Sequence, residues 1–125
     1  MNLEALERIA EKEVAALRCK LPPEMAVHAQ EVPVVMLARP TRAMIREDGL
    51  EPDLLGLFVG PNCAEGEEEG GDLLPPEILL FVENLWDYAE GDEKLFREEV
   101  RVTYYHELGH YLGLEEGELE DRGLE

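Results

Sequence analysis

The feature that most constrains this chain is a histidine pair near its C-terminus, in the string HELGH from His106 to His110. Residues four apart lie one turn above each other on the same face of an α-helix, so both imidazoles can bind one metal ion. Zinc binds neutral imidazole at roughly 2.0 to 2.1 Å, and a catalytic zinc site keeps one position open for water. Glu107 lies about 100° around the helix from His106, within reach of that water. We therefore predict His106 and His110 as metal ligands and Glu107 as the catalytic general base.

The residues after the pair extend the motif. Gly113 stands where a glycine can adopt the left-handed conformation that ends a helix and turns the chain back. Glu116 follows three residues later, so the full string is H-E-x-x-H-x-x-G-x-x-E, which suits a carboxylate as third ligand. We expect one Zn²⁺ ion on two histidines and one carboxylate, with another divalent metal as the alternative. The opposing interpretation is that the histidines are ordinary polar residues of an amphipathic helix, and His28 is expected to be a surface or loop side chain.

Length and charge restrict the partners of the chain. Its 125 residues suit one domain, spanning residues 1–125. The formal net charge of −19 should repel nucleic acid and anionic lipid, and no apolar run is long enough to cross a membrane. The N-terminus lacks a basic segment followed by an apolar one, so we expect a cytoplasmic protein. Cys19 and Cys63 show no C-x-x-C spacing and are expected to be reduced.

Hydrophobic periodicity predicts two long helices. Apolar residues recur at spacings of three and four from Leu3 to about Leu21, where Pro22-Pro23 ends the pattern. The second helix should begin after Asp92, a good N-cap, and run to about Leu112. A short helix or turn from Glu83 to Ala89 should direct Trp86 and Tyr88 into the core.

Three short apolar runs are typical of strands. They are Val32 to Leu37, Leu55 to Val59, and Ile78 to Val82. The segment from Thr41 to Asp53 is of mixed polarity and contains Asp48-Gly49, so it is predicted as loop with at most a brief turn. The segment from Asn62 to Pro76 is acidic and glycine-rich and is predicted to be a mobile loop.

With these residues placed, the chain resembles the small bacterial zincin-like metallopeptidases, also called minimal zincins. The resemblance includes LLGLFVG (Leu54 to Gly60), LPPEILLFVENL (Leu74 to Leu85) and, most specifically, the histidine motif. The family pattern ends in aspartate, whereas this chain has the longer Glu116. Its neighbours therefore remain alternative third ligands: Glu115, Glu118 and Glu120. All four methionines precede the motif, so the chain lacks the methionine turn of the larger metzincins.

The resemblance implies an α+β fold in which a small mixed β-sheet packs on the N-terminal helix and the motif helix. In zincins an edge strand above the metal pairs with an extended peptide substrate, and we expect Ile78 to Val82 to be that strand. The expected substrate-binding residues are thus Ile78, Leu79, Leu80, Phe81 and Val82.

The function that follows is a zinc metallopeptidase, in which metal-activated water attacks a peptide or protein substrate and Glu107 moves the proton. Tyr105 and Tyr111 are oxyanion candidates, although tyrosines beside a helix motif more often serve packing. The alternatives are a metal-binding domain without catalytic activity and an unmetallated adaptor that recruits a basic protein. The oligomeric state is left open.

Overall fold

The computed structural model describes residues 1–63 and 75–113 of the chain. In those ranges the elements are, in order, α1 (Leu3–Arg18), α2 (Pro23–Ala29), β1 (Val34–Leu37), α3 (Arg42–Glu47), β2 (Gly56–Val59), β3 (Glu77–Phe81), α4 (Val82–Tyr88) and α5 (Glu93–Tyr111). The prediction of an α+β fold with a small mixed sheet is confirmed. Within the same two ranges, no helix has the length and apolar character needed to cross a membrane.

The sheet has the strand order β1-β3-β2, with β1 parallel and β2 antiparallel to β3. The ends of all three strands agree with the predicted runs to within two residues. β3 is the most deeply buried strand, because its apolar residues from Ile78 to Phe81 are covered on both faces. A strand buried on both faces has a continuous apolar sequence, and this explains the pattern ILLF.

The central position of β3 overturns one prediction. Ile78 to Val82 was expected to be the edge strand that binds substrate, but β3 is hydrogen-bonded to β1 on one side and to β2 on the other. Its backbone has no free edge to offer a peptide, and Val82 is already the first residue of α4. The assignment of substrate binding to Ile78, Leu79, Leu80, Phe81 and Val82 assumed that this strand lies at the edge of the sheet. That assumption is wrong.

Helices α1 and α5 pack against each other and enclose the core with the sheet. The buried face of α1 and that of α5 each repeat every three or four residues, in Leu6, Ala10, Val14 and Leu17 and in Phe96, Val100, Tyr104 and Leu108. Each helix begins at a residue type that is favoured as an N-cap. The side chains of Asn2 and Asp92 accept hydrogen bonds from the amides of Ala5 and Leu95, and Asp92 is the cap that the sequence predicts. Both long helices are confirmed, although α1 ends at Arg18 rather than near Leu21.

Polar contacts fix the two helices in register. Glu13 of α1 accepts hydrogen bonds from Arg97 at 3.0 Å and from Arg101 at 2.7 Å. Burial raises the pKa of Glu13, but the hydrogen bonds and charges of the two arginines outweigh it and hold the pKa below its usual value. Arg18 donates at 3.0 Å to the buried hydroxyl of Tyr104, which stabilises the middle of α5.

Two short helices differ from the sequence predictions. Pro23, expected only to end the preceding helix, is the first residue of α2, where its missing amide hydrogen costs nothing. The predicted loop from Thr41 to Asp53 contains α3, and the Thr41 side chain caps it by accepting from the amide of Met44 at 3.1 Å. The signals that were missed are the favourable first helical position of the proline in α2 and the threonine cap of α3.

The short helix predicted after β3 is confirmed as α4. Trp86 packs edge-on against Phe96 with ring centroids 5.6 Å apart, as expected for a core contact. Tyr88 was also expected in the core, but it is 62% exposed.

Candidate metal centre

The histidine pair lies on the last two turns of α5, where the sequence predicts it. The Nε2 atoms of His106 and His110 are 3.1 Å apart, and the two rings are nearly perpendicular, at 86°. Two nitrogens bound to one tetrahedral zinc at about 2.05 Å would be roughly 3.3 Å apart, so the spacing fits a shared ion to within a few tenths of an ångström. The two imidazoles therefore converge as metal ligands do.

Glu107 completes a cluster with the two histidines. A carboxylate oxygen of Glu107 and one nitrogen of each ring all lie within 4.8 Å of one another. His110 is exposed and His106 half-buried, whereas Glu107 is only 9% exposed. The cluster thus has one open side, formed by the histidines, and a sheltered carboxylate beside it.

Gly113 ends the motif helix as predicted. Its φ of +78° lies in the left-handed region, and its amide donates to the carbonyl of His110 at 3.0 Å. The chain beyond this turn, with Glu116 and its alternatives Glu115, Glu118 and Glu120, lies outside the described residues. The third ligand therefore stays a prediction.

β2 lies at the edge of the sheet that the described residues form, and it approaches α5 closely. A Cβ on Gly56 would lie 2.5 Å from the methyl group of Thr103 and 3.2 Å from the carbonyl oxygen of Leu79. No side chain fits in that space, so the glycine lets β2 lie against the helix one turn before His106. A glycine inside a predicted strand is a known signal of such an approach, and it would have identified Gly56 from the sequence.

A cavity of about 340 Å³ opens between β2 and α5. On the strand side it is lined by the range from Leu54 to Gly56, and on the helix side by Glu99, Val102, Thr103, His106 and Glu107. The general-base candidate and one metal-ligand candidate therefore lie in the wall of a groove large enough for a side chain. A larger cavity, of about 390 Å³ near Arg39, contains no residue of the histidine motif.

Asn84 of α4 positions the strand side of this groove. Its buried amide donates to the carbonyls of Pro52 at 2.8 Å and Leu54 at 2.9 Å, and its oxygen accepts from Arg39 at 2.7 Å. These bonds hold the segment that leads into β2. The sequence alone offered no signal for this role, because an asparagine within a short helix is unremarkable.

Tyr111 belongs to the buried core. It is buried, its ring packs 5.7 Å from Phe58, and its hydroxyl donates to Glu31 at 2.5 Å. This hydrogen bond, against a smaller effect of burial, lowers the pKa of Glu31, and His28 at 3.3 Å adds to the lowering. These contacts support a packing role for Tyr111 over a role in oxyanion binding. His28 lies in α2 and is half-buried.

Tyr105 is half-buried against the core. Burial raises its pKa, and the neighbouring Tyr104 raises it further. These observations agree with packing and give it no contact that would stabilise an oxyanion.

The comparisons with known proteins agree with this geometry. A family model described as a zincin-like metallopeptidase matches residues 29–124, which is well over half of the chain and includes the whole motif. No curated protein matches the chain significantly.

Proposed function

The chain belongs to the zincin-like metallopeptidase family, and on that premise we propose that it is a zinc-dependent peptidase that hydrolyses peptide bonds in a peptide or protein substrate. The observation that carries the proposal is the convergence of His106, His110 and Glu107, because two of these residues, His106 and Glu107, also line an open groove. A metal site that serves only to staple a fold is closed by four protein ligands, whereas a catalytic site needs access for substrate.

His106 and His110 would hold the zinc ion, with Glu116 as the third ligand. The 3.1 Å spacing of the two Nε2 atoms supports the first two assignments. The left-handed conformation of Gly113 supports the third, because a glycine in this conformation ends the motif helix and permits a change of chain direction. Two nitrogens and one carboxylate form a ligand set that zinc commonly has in hydrolases.

When bound, zinc supplies a Lewis acid that polarises the scissile carbonyl and lowers the pKa of water to about 7. The remaining work falls to Glu107. Its carboxylate would accept the proton of the attacking water and return it to the departing amine. The low exposure of Glu107 supports this role, because few water molecules can reach a sheltered carboxylate and take up the proton in its place.

We assign substrate binding to β2 instead of β3. Among the described residues β2 pairs with β3 alone, so its other edge retains unpaired backbone groups. An extended peptide can add to such an edge as a further strand. The proximity of β2 to α5 at Gly56 would place that peptide beside His106 and Glu107.

The proposal is tested by incubating zinc-loaded protein with a pool of random short peptides and identifying cleavage products by mass spectrometry. We expect cleavage by the wild type, and a loss of at least about 100-fold in Glu107→Gln with zinc content retained. Glu98→Gln is the matched control, because it removes the neighbouring carboxylate of α5, which does not line the groove. Cleavage by Glu107→Gln at the wild-type rate would contradict the role of Glu107, and a wild type that cleaves no peptide would favour the non-catalytic alternative.

A further inference from the structure

The groove between β2 and α5 extends from the histidine cluster toward the start of the helix, and among the described residues one acidic side chain, that of Glu99, lines it away from the cluster. We propose that this groove binds the cationic side chain of a lysine or arginine next to the scissile bond, and that Glu99 determines this specificity. The inference rests on the peptidase function proposed above and names its substrate class.

The position of Glu99 on α5 and its lack of a hydrogen-bond partner among the described residues both suit this contact. It precedes His106 by seven residues, or two turns of α5, and therefore lies on the same helix face. Its carboxylate is half-buried and makes no hydrogen bond or ion pair with any residue that the structure describes. The other charged or titratable groups in the groove are His106 and Glu107, which belong to the metal centre. Among the described residues of the groove, Glu99 is thus the acidic side chain that has no role in the metal centre.

The walls between Glu99 and the centre are mostly apolar, with Thr103 as the polar side chain among the described residues there. Leu54 and Leu55 line the strand side, and Val102 lines the helix side with 40% of its side chain exposed. Lysine and arginine bury their methylene stems along apolar surfaces while the charged end reaches a polar partner. An apolar channel that ends at a carboxylate matches both parts of such a side chain.

The length of the channel also fits. Seven residues of α-helix rise about 10 Å, which is the axial distance from His106 to Glu99. A lysine side chain spans roughly 6 Å, and one residue of extended backbone adds about 3.4 Å. The two lengths together are close to that axial distance, so a lysine beside a carbonyl held at the histidine pair can bring its ammonium group to the region of Glu99.

Charge supports the same class of substrate. The chain carries 30 acidic and 11 basic residues, so its field attracts cationic peptides and repels acidic ones. A neutral side chain of equal length would displace water from the Glu99 carboxylate without replacing its hydrogen bonds, at a cost in affinity.

The test compares two small zinc-binding compounds, N-acetyl-lysine hydroxamate and N-acetyl-norleucine hydroxamate. They share the hydroxamate group and the linear stem and differ in the terminal ammonium. Titration calorimetry on zinc-loaded wild type should give about fivefold tighter binding of the lysine compound, the size expected for a partly exposed ion pair. The ratio should fall to about one in Glu99→Gln, remain fivefold in Glu98→Gln, and shrink with added salt.

The outcomes separate this inference from the proposed function. Equal affinities in the wild type, or a preference that survives in Glu99→Gln, would overturn the role of Glu99, and peptide cleavage in the same preparation would leave the peptidase function standing. A lysine preference that is lost in Glu99→Gln, in a protein that cleaves no peptide, would support the cation site and contradict the peptidase. Binding of neither compound would overturn the role of Glu99, and peptide cleavage in the same preparation would then decide the peptidase function.

Discussion

Gly56 of β2 lies so close to Thr103 of α5 that a single added carbon on Gly56 would lie 2.5 Å from the threonine methyl. This contact sets the width of the groove beside His106 and Glu107. We predict that Gly56→Ala moves β2 away from the helix, lowers the free energy of unfolding by about 1 to 3 kcal/mol and reduces kcat/KM. Chemical denaturation and peptide cleavage measure the two effects.

The control for this prediction removes the other half of the clash. Thr103→Ser deletes the methyl group and keeps the hydroxyl, so the double variant should recover part of the stability that Gly56→Ala loses. Recovery should be incomplete, because the carbonyl oxygen of Leu79 would still lie 3.2 Å from the new carbon. Unchanged stability in Gly56→Ala would show that the approach of β2 to α5 does not require glycine.

The turn after the motif helix can be tested through its backbone conformation. Gly113→Ala should cost about 1 to 2 kcal/mol, because φ is +78° and the new methyl meets no described residue closer than 3.8 Å. Gly49 is a matched control, with φ of +69° and open space, remote in sequence from the motif. We expect both alanine variants to lose similar stability and only Gly113→Ala to bind zinc more weakly in competition with a chromophoric chelator. Equal zinc affinity in the two variants would argue against a role of this turn in positioning a ligand.

Asn84 should position the groove through its two donated hydrogen bonds. Asn84→Asp removes both donors and leaves the carbonyls of Pro52 and Leu54 facing a carboxylate, so we predict a loss of about 2 kcal/mol and lower kcat/KM. Asp87→Asn is the control, since Asp87 also binds Arg39 but is exposed and contacts neither carbonyl. Its effect should stay within about 1 kcal/mol. Equal losses in the two variants would assign the effect to Arg39 instead.

The ion pairs between α1 and α5 predict a pH dependence of stability. The pKa of Glu13 is lowered in the folded protein, so its contribution is present above the unfolded value of 4.5 and is lost as pH falls through the folded value. At pH 7, Glu13→Gln should lower the free energy of unfolding by about 1 to 2 kcal/mol. The difference from wild type should shrink below about pH 4.5.

Urea denaturation at pH 7 and at pH 3.5 measures this difference. Glu11→Gln serves as the control, because Glu11 is exposed on the same helix and forms no ion pair among the described residues. A Glu13→Gln variant whose deficit is the same at both pH values would contradict the electrostatic origin.

Much of the site could be predicted from the sequence because its geometry is local. The convergence of His106 and His110 requires only a helix between Asp92 and Gly113, and both ends carry strong capping signals. The helices α2 and α3 were not predicted, because Pro23 was interpreted only as the end of the preceding helix and α3 lies in a segment of mixed polarity.

The arrangement of the strands depends on distant contacts and was harder to predict. The uninterrupted run from Ile78 to Phe81 indicated a strand buried on both faces, a sign of a central position that the family resemblance obscured. Gly56 is a sequence signal that could have identified β2 as the strand that approaches another element, and the prediction did not use it. The role of Glu99 depends on the groove between β2 and α5, so it became visible only once the two elements were placed together.

The central claim is that His106 and His110 hold a metal ion. Its most direct test is the metal content, by mass spectrometry, of wild type, His106→Ala, His110→Ala and Glu116→Ala, with Glu98→Gln as the control. We predict about one zinc per chain in wild type and in the control, and loss of zinc in both histidine variants and in Glu116→Ala. Zinc retained in Glu116→Ala alone would move the third ligand to Glu115, Glu118 or Glu120. No metal in the wild type, even after zinc is added, or full zinc in both histidine variants would contradict the account.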